Sequence, residues 1–111
     1  MMQSFKEAQA RVHAWVSQYE EGYFPPLVQI ARLVEEVGEL ARAISHETGV
    51  KKPKQGESLR DVDGEIGDIL FVLICLANER GVDLDDILSQ TLDKIEARDA
   101  NRWTKKIGNR E

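Results

Sequence analysis

The chain has little sulfur, few aromatic rings and no excess of positive charge. Its one cysteine in 111 residues rules out an internal disulfide. Cys75 sits in the apolar run Ile69-Leu70-Phe71-Val72-Leu73-Ile74-Cys75-Leu76-Ala77 and is expected to be a small, inert core residue. That run of nine residues is the longest apolar stretch, too short to span a bilayer. Residues 1–7 carry no basic-then-apolar leader pattern, so a soluble cytoplasmic protein is the expectation. His13 and His46 are the only two histidines. Neither has a partner at ligand spacing, and neither is given a role. With 15 basic residues against 20 acidic ones the net charge is −5, which argues against stable nucleic-acid binding. No repeat and no linker divides the chain, so residues 1–111 are expected to form one domain with a modest core.

What the chain does have is helical periodicity almost throughout. A first helix is expected over about residues 4–19, with Ser4 as N-cap and Glu7 completing a capping box. A second starts at Pro26, where a missing N–H costs nothing, and runs to about His46, with Gly49 just beyond. Residues 47–57 have the composition of a mobile loop. Ser58 is expected to cap a third helix, which ends near Arg80 with Gly81 as its stop. Asp83 caps a fourth, expected to reach about Trp103, followed by a polar tail from about residue 104. The fold class is therefore all-α, a four-helix bundle. The third helix carries Val62, Ile66, Ile69, Leu70, Leu73 and Ala77 on one face. Phe71, Val72, Ile74 and Cys75 lie on the other. A helix apolar all round must be covered all round, which predicts a homo-oligomer using its outer face.

Carboxylates three residues apart on a helix share a face and can meet one cation. Five such pairs occur: 36/39, 65/68, 83/86, 93/96 and 96/99. About three or four are expected by chance in so acidic a chain. Position separates two of them. Asp83 and Asp86 are explained by capping and the helix dipole. Asp93, Glu96 and Asp99 alternate with basic residues on a polar face. Glu36 and Glu39 instead edge a core face made of Ile30, Leu33, Val34, Val37, Leu40, Ala41 and Ile44. Glu65 and Asp68 edge the face carrying Val62, Ile66, Ile69 and Leu73. Antiparallel packing through these faces would set the two pairs across a shared groove. Four converging carboxylates need a compensating cation, and all-oxygen ligation favours Mg2+ or Mn2+ over zinc. Gly38 and Gly67 each sit inside a pair, at a cost of about 1 kcal/mol against alanine. Close helix approach or room for a ligand would account for them.

At this point Glu35-Glu36-Val37-Gly38-Glu39-Leu40, followed by Glu65-Ile66-Gly67-Asp68-Ile69-Leu70, resembles the EExxE…ExxD signature of MazG-type nucleotide pyrophosphohydrolases. The resemblance covers about residues 5–105 and is close to the short, single-domain members, especially over residues 25–41 and in the run after Asp68. It implies Glu36, Glu39, Glu65 and Asp68 as magnesium ligands, with Glu35 in the additional acidic position. It also implies a dimer or tetramer built from helical hairpins. The implied reaction takes a nucleoside triphosphate and water to the monophosphate and pyrophosphate. Glu35 or Glu39 would accept the water's proton. Lys94, Arg98 and Arg102, at i, i+4, i+8 on the fourth helix, are expected to contact phosphates or else to pair with the acidic residues between them. Lys51, Lys52 and Lys54 either close over phosphates or are plain loop residues. Trp15, Tyr19 and Trp103 are candidates to stack on a base, though helical spacing favours core packing for the first two. A di-iron bundle would need Glu-x-x-His pairs, and neither Glu36 nor Glu65 has one. A catalytically silent helical module with the same fold is the alternative. Base preference is not legible in the sequence.

Overall fold

The computed structural model describes residues 4–57 and 61–107. Its elements are four helices, α1 (Phe5–Val16), α2 (Pro26–Glu47), α3 (Val62–Arg80) and α4 (Leu84–Arg98), with no strand among the described residues. The caps follow local chemistry. Ser4 Oγ accepts from the Glu7 N–H at 3.2 Å. Pro26 opens α2, and Gly81 closes α3 in the left-handed conformation at φ 70. Asp83 Oδ1 accepts from the N–H groups of Asp85 and Asp86 at 2.8 and 3.3 Å.

Three boundaries differ from expectation. The first helix ends at Val16, not near residue 19, because the chain tightens into i→i+3 bonds from Gln18 to Trp15 and from Tyr19 to Val16. The third begins at Val62 with Asp61, not Ser58, as its cap. Ser58 lies outside the described residues. The fourth ends at Arg98 instead of reaching Trp103. Asp99, whose charge opposes the helix dipole there, and Asn101, a weak helix former, follow at once.

The helices α2 and α3 form an antiparallel hairpin, the most extensive packing in the chain. The N-terminal Gln29 of α2 bonds Glu79 near the C-terminal end of α3, while Glu36 meets Asp68 near its start. The first helix lies antiparallel along α3, through Gln9–Asn78 at one end and Trp15–Phe71 at the other. The fourth packs chiefly against α1. Asp85 fixes that contact. Its two oxygens accept from the Phe5 and Lys6 N–H groups at 3.3 and 3.1 Å, so a side chain of α4 satisfies the open N-terminus of α1. Gln9 bridges the same corner by donating to Asn78 and to the Val82 carbonyl, while accepting from the Leu84 N–H.

The face of α2 turned to α3 is not the apolar one. Its buried residues are Gln29 and Ala43, with Arg32, Leu33, Glu36, Glu39 and Leu40 half-buried. The stripe expected to be core, Ile30, Val34, Val37 and Ile44, is exposed, Val34 by 65%. On α3 the faces are exchanged in part, since Ala77 is buried and Val62 and Ile69 half-buried on the face expected to pack inward. Val72 and Cys75 are buried where α1 and α2 meet α3, and Ile74 is buried toward α1 and α4, while Ile66, Leu70 and Leu73 are exposed. The hairpin thus packs through its carboxylate-bearing faces rather than beside them. The radius of gyration is 18.2 Å, against about 13 Å for a compact chain of this length. The described chain leaves its widest apolar stripe uncovered.

Replacing Asp85 by Ala removes both acceptors from the α1 N-terminus. It should lower stability by about 1 kcal/mol, the usual worth of a helix cap, seen as a lower urea midpoint. An unchanged midpoint would show that α4 is held by other contacts.

Candidate metal centre

Glu36 leaves α2 midway along its inner face. Glu65 lies in the first turn of α3, where the helix dipole favours a negative charge, and Asp68 follows one turn on. One oxygen from each of the three lies within 4.8 Å of the others. Glu65 is buried at 6% exposure, Glu36 is half-buried, and Asp68 opens to solvent. The Oε2 atom of Glu36 is buried and has no hydrogen-bond partner among the described residues. Burial pushes the Glu36 carboxyl above the usual carboxylate range. The charges of Asp68, Glu39 and Glu65 push it further the same way, and Arg32 opposes them.

Three convergent carboxylates, one with an orphaned buried oxygen, form a donor set for a hard divalent cation. The group contains no histidine or cysteine ligand, so zinc is a poor match. A cation at this point would offset the repulsion that burial intensifies. The residues present therefore fit a divalent metal.

Glu39 is half-buried one turn from Glu36 and close enough for its charge to bear on it, but lies outside the tight trio. Glu35 is exposed. Arg98 and Arg102 both engage Asp99, at 3.1 and 3.7 Å, and Lys94 is exposed. Lys51, Lys52 and Lys54 are exposed in a loop whose end is tied to α2 through Glu57, which accepts from Arg42 at 3.2 Å. Trp15 is half exposed and packs edge-on against Tyr19 and Phe71. Trp103 is exposed beneath the Arg102 guanidinium at 5.0 Å. A Cβ added at Gly38 or Gly67 would meet nothing within 4 Å, so neither glycine answers to close approach of α2 and α3. Gln29 and Arg32 escaped the sequence reading. Their signal was the polar register 29, 32, 36, 39, which continues the carboxylate face up α2 at helical spacing.

An all-α hairpin with three convergent carboxylates at its crossing is an arrangement in which helices, not loops, carry the acidic groups. The comparisons with known proteins identify its family. Residues 24–103 match the MazG nucleotide pyrophosphohydrolase domain. The chain is 45% identical to YpjD of Bacillus subtilis strain 168, an uncharacterized protein, over 93% of both chains. It is 31% identical to YvdC of the same organism, over 80% of this chain and 93% of that one. The crystal structure of Bacillus subtilis YpjD superposes with a TM-score of 0.74 at 42% identity, covering 85% of this chain and 96% of that one. That of the Bacillus-conserved MazG protein, a nucleotide pyrophosphohydrolase, gives 0.73 at 35% identity over 97% and 98%. The chain belongs to the MazG nucleotide pyrophosphohydrolase family, hydrolases acting on pyrophosphate bonds.

The raised Glu36 carboxyl has a consequence for stability. Below the unfolded value of 4.5 both states are protonated and nothing is lost. Between 4.5 and the raised folded value the folded chain holds a proton that the unfolded chain has released, so metal-free stability falls with pH across that interval and levels off above it. Glu36→Gln should abolish that loss. In EDTA its thermal midpoint should exceed that of wild type at neutral pH and converge with it in acid. Parallel midpoints at every pH would show that Glu36 is not strained by its neighbours.

Proposed function

We propose that this protein hydrolyses nucleoside or deoxynucleoside triphosphates to the monophosphate and pyrophosphate, with Mg2+ as the metal and Mn2+ as a substitute. The observation that carries the reading is the convergence of Glu36, Glu65 and Asp68, with an orphaned buried oxygen, inside a MazG-family chain. Glu36, Glu65 and Asp68 would hold the ion, with Glu39 completing the set from one turn away. The ion would supply charge neutralisation at the phosphate oxygens and Lewis acidity toward water. The chain supplies position and proton transfer. Glu39 sits beside the trio, so it is the better-placed acceptor for the water's proton. Glu35, exposed in the chain, is the weaker alternative. Arg32 is a cation that α2 itself places beside the cluster, since its charge is felt at Glu36. Lys94, Arg98 and Arg102 serve as phosphate contacts in this reading where assembly brings α4 to the groove.

The same reading includes assembly. The exposed stripe of α2 and the outward residues Ile66, Leu70 and Leu73 of α3 form an apolar surface on the hairpin, and a second copy covers it in a dimer or tetramer. No described helix is long and apolar enough to cross a membrane, which agrees with a cytoplasmic role in nucleotide-pool housekeeping.

Pyrophosphate release from a panel of standard and damaged triphosphates, with and without Mg2+, tests the activity. Metal-dependent release is expected. Its absence for every nucleotide would favour a silent helical module. Glu39→Gln should lower kcat by about 100-fold or more, the scale of losing a proton acceptor. Full activity in that variant would remove Glu39 from the site. For assembly, the double change Val34→Glu and Val37→Glu should yield a monomer in sedimentation. An unchanged sedimentation coefficient would move the interface elsewhere.

A further inference from the structure

Gln29 is the most deeply buried polar residue described on α2, at 2% exposure. Its amide nitrogen donates to the Phe24 carbonyl at 2.7 Å and to Glu79 Oε2 at 3.2 Å. Both partners are pure acceptors, so the amide can face them only with its nitrogen, and no flipped assignment fits. Both amide N–H groups are thereby engaged. Oε1 is turned the other way, is buried, and meets no donor among the described residues. A buried acceptor without a donor is rare enough to need an explanation.

Gln29 lies in the wall of a cavity of about 360 Å³ between α1, α2 and α3. Trp15, Tyr19, Phe24 and Phe71 supply aromatic surface there, and Arg32 adds a guanidinium that lies 5.5 Å over the Phe24 ring. The volume suits one planar heterocycle, and the walls offer it faces to stack on. Its place along the hairpin matters equally. Gln29 is seven residues from Glu36 on α2, and Cys75, which lines the cavity from α3, is seven from Asp68. Seven residues are two helical turns, about 10.5 Å. Arg32 lies between. Phosphates at the carboxylate centre would place the far end of the same nucleotide at this cavity.

We infer that the cavity is the nucleobase subsite of this protein and that Gln29 Oε1 accepts a hydrogen bond from an N–H on the edge of the base. The inference deepens the proposed pyrophosphohydrolase reading and rests on it for the identity of the ligand. With no amide hydrogen left over, Gln29 reads donors only, whether an exocyclic amino group or a ring N–H. Arg32 supplies a donor for a neighbouring carbonyl or ring nitrogen. A base whose edge donor is blocked by methylation leaves the acceptor unpaired, and sites built to hydrogen-bond a group reject ligands that lack it.

The test uses nucleosides without phosphate and the intact chain in EDTA, so hydrolysis and metal play no part. Uridine and cytidine are titrated against 15N-labelled protein, following the side-chain amide signals of Gln29. Trp15 fluorescence is followed in a Trp103→Phe background. Saturable shifts at Gln29 with quenching of Trp15 are expected. N3-methyluridine and N4,N4-dimethylcytidine should bind at least about tenfold more weakly. Absence of any shift at Gln29, or equal binding of the methylated nucleosides, would overturn the assignment and leave a cavity that holds only water. Pyrophosphate release would survive that outcome. Conversely, nucleoside binding without pyrophosphate release would keep the cavity and refute the hydrolase reading.

Discussion

The structure turns on one repulsion, that among Glu36, Glu65 and Asp68 where α2 crosses α3. Carboxylates this close and this shielded from water resist sharing a site as anions. Everything around them can be understood as a consequence. The hairpin must bring polar faces together, so it cannot use the apolar stripe of α2 for its own closure. That stripe is left outside, and the chain by itself is far less compact than its length allows. The cation and the covering copy of the proposed assembly thus answer the same constraint from its two sides. One neutralises what the hairpin encloses, and the other covers what it leaves exposed.

Around this centre the remaining contacts are polar and specific rather than greasy. Asp85 caps α1 from α4, and Asn78 donates both to the Gln9 carbonyl and to the Tyr23 hydroxyl. Such bonds set orientation more than they supply stability, since each contributes about 1 kcal/mol net. The buried apolar side chains are few, among them Val16, Ala43, Val72, Ile74 and Cys75. A fold built this way orients its side chains through specific polar bonds while burying little apolar surface of its own.

The sequence carried the helices well, because periodicity and caps are local, and of the four carboxylates it singled out the hairpin brings Glu36, Glu65 and Asp68 together. Ser4, Pro26, Gly81 and Asp83 act where their chemistry indicated. The faces of α2 and α3 were misread for a clear reason. A helical wheel assumes that apolar surface seeks the interior of its own chain, and here the interior is a polar groove. Val72 and Ile74, on the face expected to point outward, are buried instead and Phe71 is half-buried, while Cys75 is buried as its apolar surroundings indicated. The same assumption hid Gln29, whose importance rests on a bond to Glu79 fifty residues away and on a carbonyl at Phe24. Asp85 was hidden too, because its partners Phe5 and Lys6 are distant in sequence. The spacing of Lys94, Arg98 and Arg102 did not decide between the two expectations for them: in the chain Arg98 and Arg102 engage Asp99, and Lys94 is exposed.

The central claim is that these three carboxylates are a divalent-cation site. Manganese anomalous diffraction from crystals grown with saturating Mn2+ tests it most directly. A peak bonded to oxygens of Glu36, Glu65 and Asp68, at about 2.0–2.3 Å, is the predicted result. No peak at the hairpin crossing, or one held by other residues, would contradict the account.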